Sequence, residues 1–281
     1  MAAIAFSLCA AASWGVADFM AGLKSRRLGV LPVLAWVEGV GLTVTLTLIV
    51  ATGEPLPDGR TLLTAVIAGG AGFSALGAFY RALSIGTMSI VAPISATGVV
   101  LPVIVGLATG DTLQTIVAVG LAVIVCGVLL ASREEVSEVE RRGPNRPAVL
   151  LALAAAVGFG LYFTFADIAA DGSILWLLAA GRLFVLPFIV LLARRRGVSL
   201  IPDRRDRLQL GAIGVADLGA TGLYGLATTR GALSIVAVIG SLYPVMTVLL
   251  ARGVLKERIS RGQAAGVVLA MAGVAMVSAG G

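Results

Sequence analysis

Five ionisable residues interrupt long apolar runs: Asp18, Glu38, Asp167, Arg182 and Asp217. A charge near a bilayer centre costs roughly 2.5–3.5 kcal/mol on insertion scales, so such residues face the inside of a bundle or a watery cavity. Asp18 and Asp167 fall within a turn or so of the run ends, where water or headgroups reach them. Glu38, Arg182 and Asp217 lie deeper and are the first candidates for substrate binding. Arg182 stays charged and attracts an anionic group, while Glu38 suits a cationic one. Together they form a clamp for a zwitterion such as an amino acid. The plainer alternative pairs Arg182 with Asp217 or with a backbone carbonyl, since buried charges more often meet each other than a ligand. A carboxylate in low dielectric also takes up protons more readily. Glu38 or Asp217 would then couple transport to protons, and with no His in the chain carboxylates are the only relay available.

Aromatic side chains near these charges are Trp14, Trp36, Tyr80, Tyr162, Tyr224 and Tyr243. Trp and Tyr also gather at membrane interfaces for their own reasons. Trp36 lies two residues from Glu38 and so on another helix face, which leaves Trp14, Tyr224 and Tyr243 as the cavity-wall candidates. Asp111 with Gln114, and Ser260 with Gln263, have capping-box spacing at helix starts. Gly262, Gly266 and Ala270 form a small-residue ridge suited to close packing or to a contact with a second copy. Cys9 and Cys126 are too few for a zinc site and show no disulfide pattern. A serine among glycines, Ser74, has no His to act as its base. The residues therefore imply no catalytic site, metal or cofactor. An intramembrane enzyme or a non-transporting membrane scaffold is the rival class.

Helices in lipid must position these groups. Of the 281 residues 58% are hydrophobic and only 13% charged, whereas soluble domains carry about 25% charged residues. This excludes a soluble enzyme and a disordered chain. A span needs about 20 apolar residues, and ten runs can be drawn: 2–22, 30–51, 62–83, 88–109, 113–132, 148–168, 173–193, 208–228, 232–251 and 261–279. The first run has no basic segment before it and reads as a retained span rather than a cleaved signal. The formal net charge is +6, which on a soluble chain would suggest nucleic acid; here the basic residues lie between apolar runs. Alternate loops hold 18 of the 21 Lys and Arg, the opposite loops hold Arg60 and Arg230, and Arg182 is intramembrane. The positive-inside rule places the basic set in the cytoplasm and both termini outside, in the plasma (inner) membrane. Arg194–Arg196, Arg204, Arg205 and Arg207 then serve orientation and attract anionic lipid.

A polar stretch over 133–147 divides the chain into 1–132 and 148–281, with five runs on each side. Offset by 145 residues, Trp14-Gly15 meets Phe159-Gly160, and Ser89-Ile90-Val91-Ala92 meets the identical Ser234-Ile235-Val236-Ala237. A one-residue slip aligns Gly120 with Gly266 and Gly127 with Gly273. Five spans is an odd number, so consecutive repeats enter the membrane from opposite sides. The expectation is an all-α membrane protein of ten transmembrane helices in two inverted-topology repeats, a frequent plan of secondary transporters with a site at the repeat interface.

Ala12-Ser13-Trp14-Gly15, Tyr80-Arg81-Ala82-Leu83, Ala92-Pro93, Pro102, Gly110-Asp111, Gln114, Gly120 and Gly127, echoed by Tyr243-Pro244, Lys256-Glu257, Gln263, Gly266 and Gly273, resemble the EamA family of the drug/metabolite transporter superfamily. The resemblance spans essentially the whole chain. It departs at Asp111, where the family usually has Glu, and at Glu38, where a basic residue is common. It implies a ten-helix secondary transporter for small metabolites, often an exporter, and names no substrate.

Overall fold

The computed structural model describes residues 1–85, 94–131, 146–255 and 260–280. Most of the polar linker, the first Ser-Ile-Val-Ala copy and Lys256-Glu257 lie outside the described residues. The described chain runs through α1 (Ala2–Leu28), α2 (Val30–Thr52), α3 (Gly59–Ile85), α4 (Ile94–Thr109), α5 (Thr115–Ala131), α6 (Arg146–Gly172), α7 (Ile174–Arg195), α8 (Arg204–Thr228), α9 (Leu233–Gly240), α10 (Tyr243–Leu255) and α11 (Arg261–Gly280). Among the described residues seven helices are long and apolar enough to cross a membrane: α1, α2, α3, α6, α7, α8 and α11. Helices α4 and α5 are apolar but shorter. The protein is a multi-pass membrane protein.

Helix α6 explains how such helices pack. Its buried face is Ala148, Ala152, Ala155, Ala156, Gly158 and Gly160, while Leu150, Leu153 and Val157 point outward. Lipid tails are as apolar as leucine, so large side chains gain little by facing inward. Small ones let backbones approach and gain dispersion contacts instead. Glycine does this on the α5–α11 seam. Gly120 lies against Gly273 and Val277, and Gly127 against Gly266 and Ala270. Rising numbers on one helix meet falling numbers on the other, so the two run antiparallel.

Helices α1 and α8 also run antiparallel. The Ser13 hydroxyl donates to the Ala216 carbonyl at 2.8 Å, Trp14 packs on Tyr224, and Lys24 and Arg27 pair with Asp206. These pairings carry α1 to Leu28, six residues beyond the edge expected from hydropathy. One contact is made twice with the halves exchanged. Gly15 of α1 lies against the Tyr243 carbonyl and Met246 Cβ of α10; Gly160 of α6 lies against the Gly98 carbonyl and Leu101 Cβ of α4. Each residue of the second contact stands 145 positions from its counterpart in the first.

The run expected over 232–251 is not one continuous helix. It breaks between α9 and α10 at Ser241-Leu242. Pro244 has no N–H to continue the ladder, and the chain tightens to three-residue bonds, Leu242 N to the Ile239 carbonyl at 3.1 Å and Val245 N to the Leu242 carbonyl at 2.9 Å.

Candidate functional site

Arg182 leaves the buried face of α7 into the space between α2 and α8. A Cβ on Gly41 would stand 2.6 Å from its Nε, so the absence of a side chain there makes room for the guanidinium. Its Nη2 donates to Asp217 Oδ2 at 2.7 Å, and its Nη1 to the Leu178 carbonyl at 2.9 Å. Its Nε lies 3.2 Å from Glu38 Oε2 without hydrogen-bond geometry to any group. The Arg182 side chain is 8% exposed, against 21% for Glu38 and 25% for Asp217. The cation is thus enclosed while the carboxylates keep an open side. The three deep charges meet in one cluster, in the pairing that the plainer reading anticipates: Arg182 with Asp217 and a backbone carbonyl, with Glu38 alongside.

Asp18 belongs with them. It lies close enough to Asp217 for their charges to repel. Hydropathy placed Asp18 near a span end because the apolar run stops at residue 22; α1 continues to Leu28. Asp18 of α1 thus adds a third carboxylate on the Asp217 side of the cluster. Tyr162 of α6 lies within electrostatic range of Glu38, Arg182 and Asp217 and beside Thr221.

Above this cluster Trp14, Tyr162, Phe163 and Tyr224 pack together. Trp14 and Tyr224 have centroids 5.7 Å apart, Phe163 and Tyr224 5.2 Å, and Trp14 and Tyr162 6.1 Å. Tyr224 is fully buried and its hydroxyl donates to the Phe163 carbonyl at 3.1 Å. Rings this close fill their own space, so Trp14 and Tyr224 pack with Tyr162 and Phe163 into an aromatic plug. Tyr162 is the ring that reaches both plug and charges. Tyr243, the third wall candidate, is half-buried at the start of α10 with its carbonyl against Gly15. Trp36 is turned away: its Nε1 donates to the Leu200 carbonyl at 2.8 Å, and Arg207 stacks on its ring. The Tyr80 side chain lies outside the described residues.

Beyond the plug, Asp167 lies near Asp111 and Asp171 and beside Thr228. Asp111 corrects an expectation. It does not cap α5, which begins four residues later at Thr115. The left-handed turn at Gly110 sends its carboxylate across to the other half of the chain. There Oδ2 accepts from the Ser234 backbone N–H at 2.9 Å and from the Ser234 hydroxyl at 2.7 Å. The Ser260–Gln263 pair does form the expected reciprocal cap, at 3.0 and 3.1 Å.

The charges, plug and outer carboxylates are carried mainly by α1, α6 and α8, helices from both halves of the chain. Those halves match one family model twice, over residues 1–133 and 146–279. The chain belongs to the EamA-like transporter family. Its membership accounts for the multi-pass helical fold and for the two copies of one unit. A solved structure described as "Crystal structure of protein" is similar at TM-score 0.80 and 17% identity, over 99% of this chain and 96% of that one; this likeness shows a shared fold. A comparison with curated proteins gives no match. EamA is a transporter family, and among the described residues no group of His, Cys, Asp and Glu is arranged to hold a metal.

Proposed function

We propose that the chain is a secondary active transporter, an exporter of a small amino-acid-like metabolite, working by alternating access between two inverted repeats, 1–132 and 148–281, joined by a polar cytoplasmic linker. The observation that carries this reading is the Arg182 cluster. One carboxylate comes from α2 and a second from α8, so the charges straddle the boundary between repeats, where alternating access exposes a site to each side in turn. Three features support the inverted arrangement. The Gly15 and Gly160 contacts map onto each other with the repeats exchanged. So do the contacts of Gly120 with Gly273 and of Gly127 with Gly266. The seam that carries the second set is antiparallel, and a two-fold relating antiparallel helices lies perpendicular to them, in the plane of the membrane. Counting α9 and α10 as one broken passage makes ten, with the basic loops in the cytoplasm and both termini outside the plasma membrane.

The cluster supplies the chemistry. Asp217 and Glu38 occupy the guanidinium of Arg182. Protonating either one releases it toward the carboxylate of a substrate, while the remaining carboxylates face the ammonium end. Substrate and proton then weaken each other's binding, and by linkage the effect is reciprocal. The test is uptake of a panel of labelled amino acids into proteoliposomes under an imposed pH gradient. Wild-type protein is expected to move at least one panel member, and Arg182→Met to lose that transport by tenfold or more. Undiminished transport by Arg182→Met overturns the role of the cluster. No transport of any panel member by the wild type overturns the substrate class.

A further inference from the structure

Where α1 ends and α8 begins, Lys24, Arg27, Arg205, Asp206 and Gln209 line a cavity of about 220 Å³. We propose that this pocket binds a phosphate group. Three cations face one carboxylate. Asp206, whose side chain is 4% exposed, holds Lys24 at 2.9 Å and Arg27 beside it, and so fixes two cations at the rim rather than filling the cavity with negative charge. Lys24 also donates to the Gln209 carbonyl oxygen, which leaves the Gln209 amide N–H groups as donors. Arg205 is exposed and makes no ion pair among the described residues. The first turn of α8 adds the positive end of a 25-residue helix. Two positive charges are left over, together with several N–H donors, and a phosphate oxygen is the acceptor that suits both.

Size narrows the ligand. Sites that enclose a whole small molecule run to roughly 300–1,000 Å³; this one takes a group, not a metabolite. Its position narrows the ligand further. Arg194, Arg195, Arg196, Arg204 and Arg207 lie on the adjoining helix ends, where an apolar chain meets the headgroup layer and where anionic lipids collect around basic residues. The phosphate therefore comes from an anionic lipid headgroup or from free phosphate. In both cases it bridges α1 of one repeat to α8 of the other, and so favours the conformation that keeps these helix ends together.

The experiment is thermal unfolding of the full chain in nanodiscs of phosphatidylcholine alone or with phosphatidylglycerol, and in phosphatidylcholine with inorganic phosphate against chloride at equal ionic strength. Occupancy is expected to raise Tm by about 2–4 °C. Arg205→Gln should abolish the rise with the basal Tm unchanged, Arg205→Lys should retain most of it, and Arg196→Gln, outside the pocket, should retain all of it. A rise with phosphatidylglycerol alone makes the lipid the source, and a rise with inorganic phosphate makes the source the free ion. The proposal is overturned if neither ligand shifts Tm, if Arg205→Gln keeps the full rise, or if Arg196→Gln loses as much as Arg205→Gln, which would mean diffuse charge without a pocket.

Discussion

Along α5 and α11 the two halves of the chain meet through glycine, with Gly120, Gly127, Gly266 and Gly273 drawing backbone against backbone. Along α1, α2, α6, α7 and α8 they meet through Asp18, Glu38, Arg182 and Asp217 and a plug of aromatic rings. The glycine seam has one way to fit, because its contacts are main-chain atoms at fixed spacing. Under the proposed function the charged seam has several, because a guanidinium can exchange a carboxylate of the protein for one of a ligand, and a carboxylate can exchange an arginine for a proton. On that reading a joint that holds and a face that changes partners call for opposite chemistry, and one unit used twice supplies both.

The largest effect is expected at the glycine seam. A Cβ at Gly127 would run into the backbone of Ala270, and one at Gly266 into the backbone of Ala131; neither backbone can move aside as a side chain does. Gly127→Leu and Gly266→Leu should each abolish folded protein, read as loss of the monodisperse peak on size exclusion in detergent. Normal yield of both variants would remove the rigid joint from the comparison.

Next comes the charged seam. Removing one partner of a buried ion pair typically costs about 3–5 kcal/mol, because a charge is left without compensation. Arg182→Met should destabilise by that order in reversible detergent unfolding. Adding Asp217→Asn should recover part of the loss, since one fewer carboxylate is left stranded. Equal stability of the single and double variants would mean that Asp217 is solvated in its own right.

Within the plug, Tyr224→Phe removes one buried hydrogen bond, to the Phe163 carbonyl, and should cost about 0.5–1.5 kcal/mol, since that carbonyl keeps its partner in the α6 ladder. The ring packing stays, so near-ultraviolet dichroism should keep its native form. Its collapse would show that the hydroxyl, not the ring stack, holds the plug.

The smallest effect lies outside both seams. Asp58 accepts the Thr61 backbone N–H at 2.9 Å at the start of α3. Hydrogen bonds from Thr61, with Arg60 nearby, hold the Asp58 carboxyl below its ordinary range. A carboxylate with a lowered pKa stabilises the fold above its unfolded-state pKa, and that contribution fades as pH falls through the folded-state value. Amide exchange in the first turn of α3 should therefore quicken on acidification relative to its base-catalysed rate, and Asp58→Ala should erase the difference. The same acid response in Asp58→Ala would assign it to another group.

Much of this was legible in the residues. Hydropathy marked the seven long helices, and the 145-residue offset marked the repeat, because apolar length and internal similarity are local properties of the chain. The cost of burying charge singled out Glu38, Arg182 and Asp217, and they do meet. The end of α1 was set too early, and Asp18 too near it, because a charged tail can extend a helix past its apolar run, as Lys24 and Arg27 extend α1. Asp111 was misplaced because cap spacing cannot tell a partner in the next turn from one in the other repeat. The plug was half-seen: Trp14 and Tyr224 were among the wall candidates, but their mutual contact depends on the antiparallel approach of α1 and α8, which no single run encodes.

The charged seam's central role is tested most directly by proton movement during transport. Proteoliposomes would enclose a pH-sensitive dye, and substrate would be added at several external pH values to wild type, Glu38→Gln and Asp217→Asn. The groups facing Arg182 are Glu38 from α2, Tyr162 from α6 and Asp217 from α8, with Asp18 from α1 on the Asp217 side. The account predicts that wild-type protein moves protons opposite to substrate, and that at least one variant transports substrate with little proton movement and a flattened pH profile. Proton movement and pH profiles unchanged in both variants would contradict it.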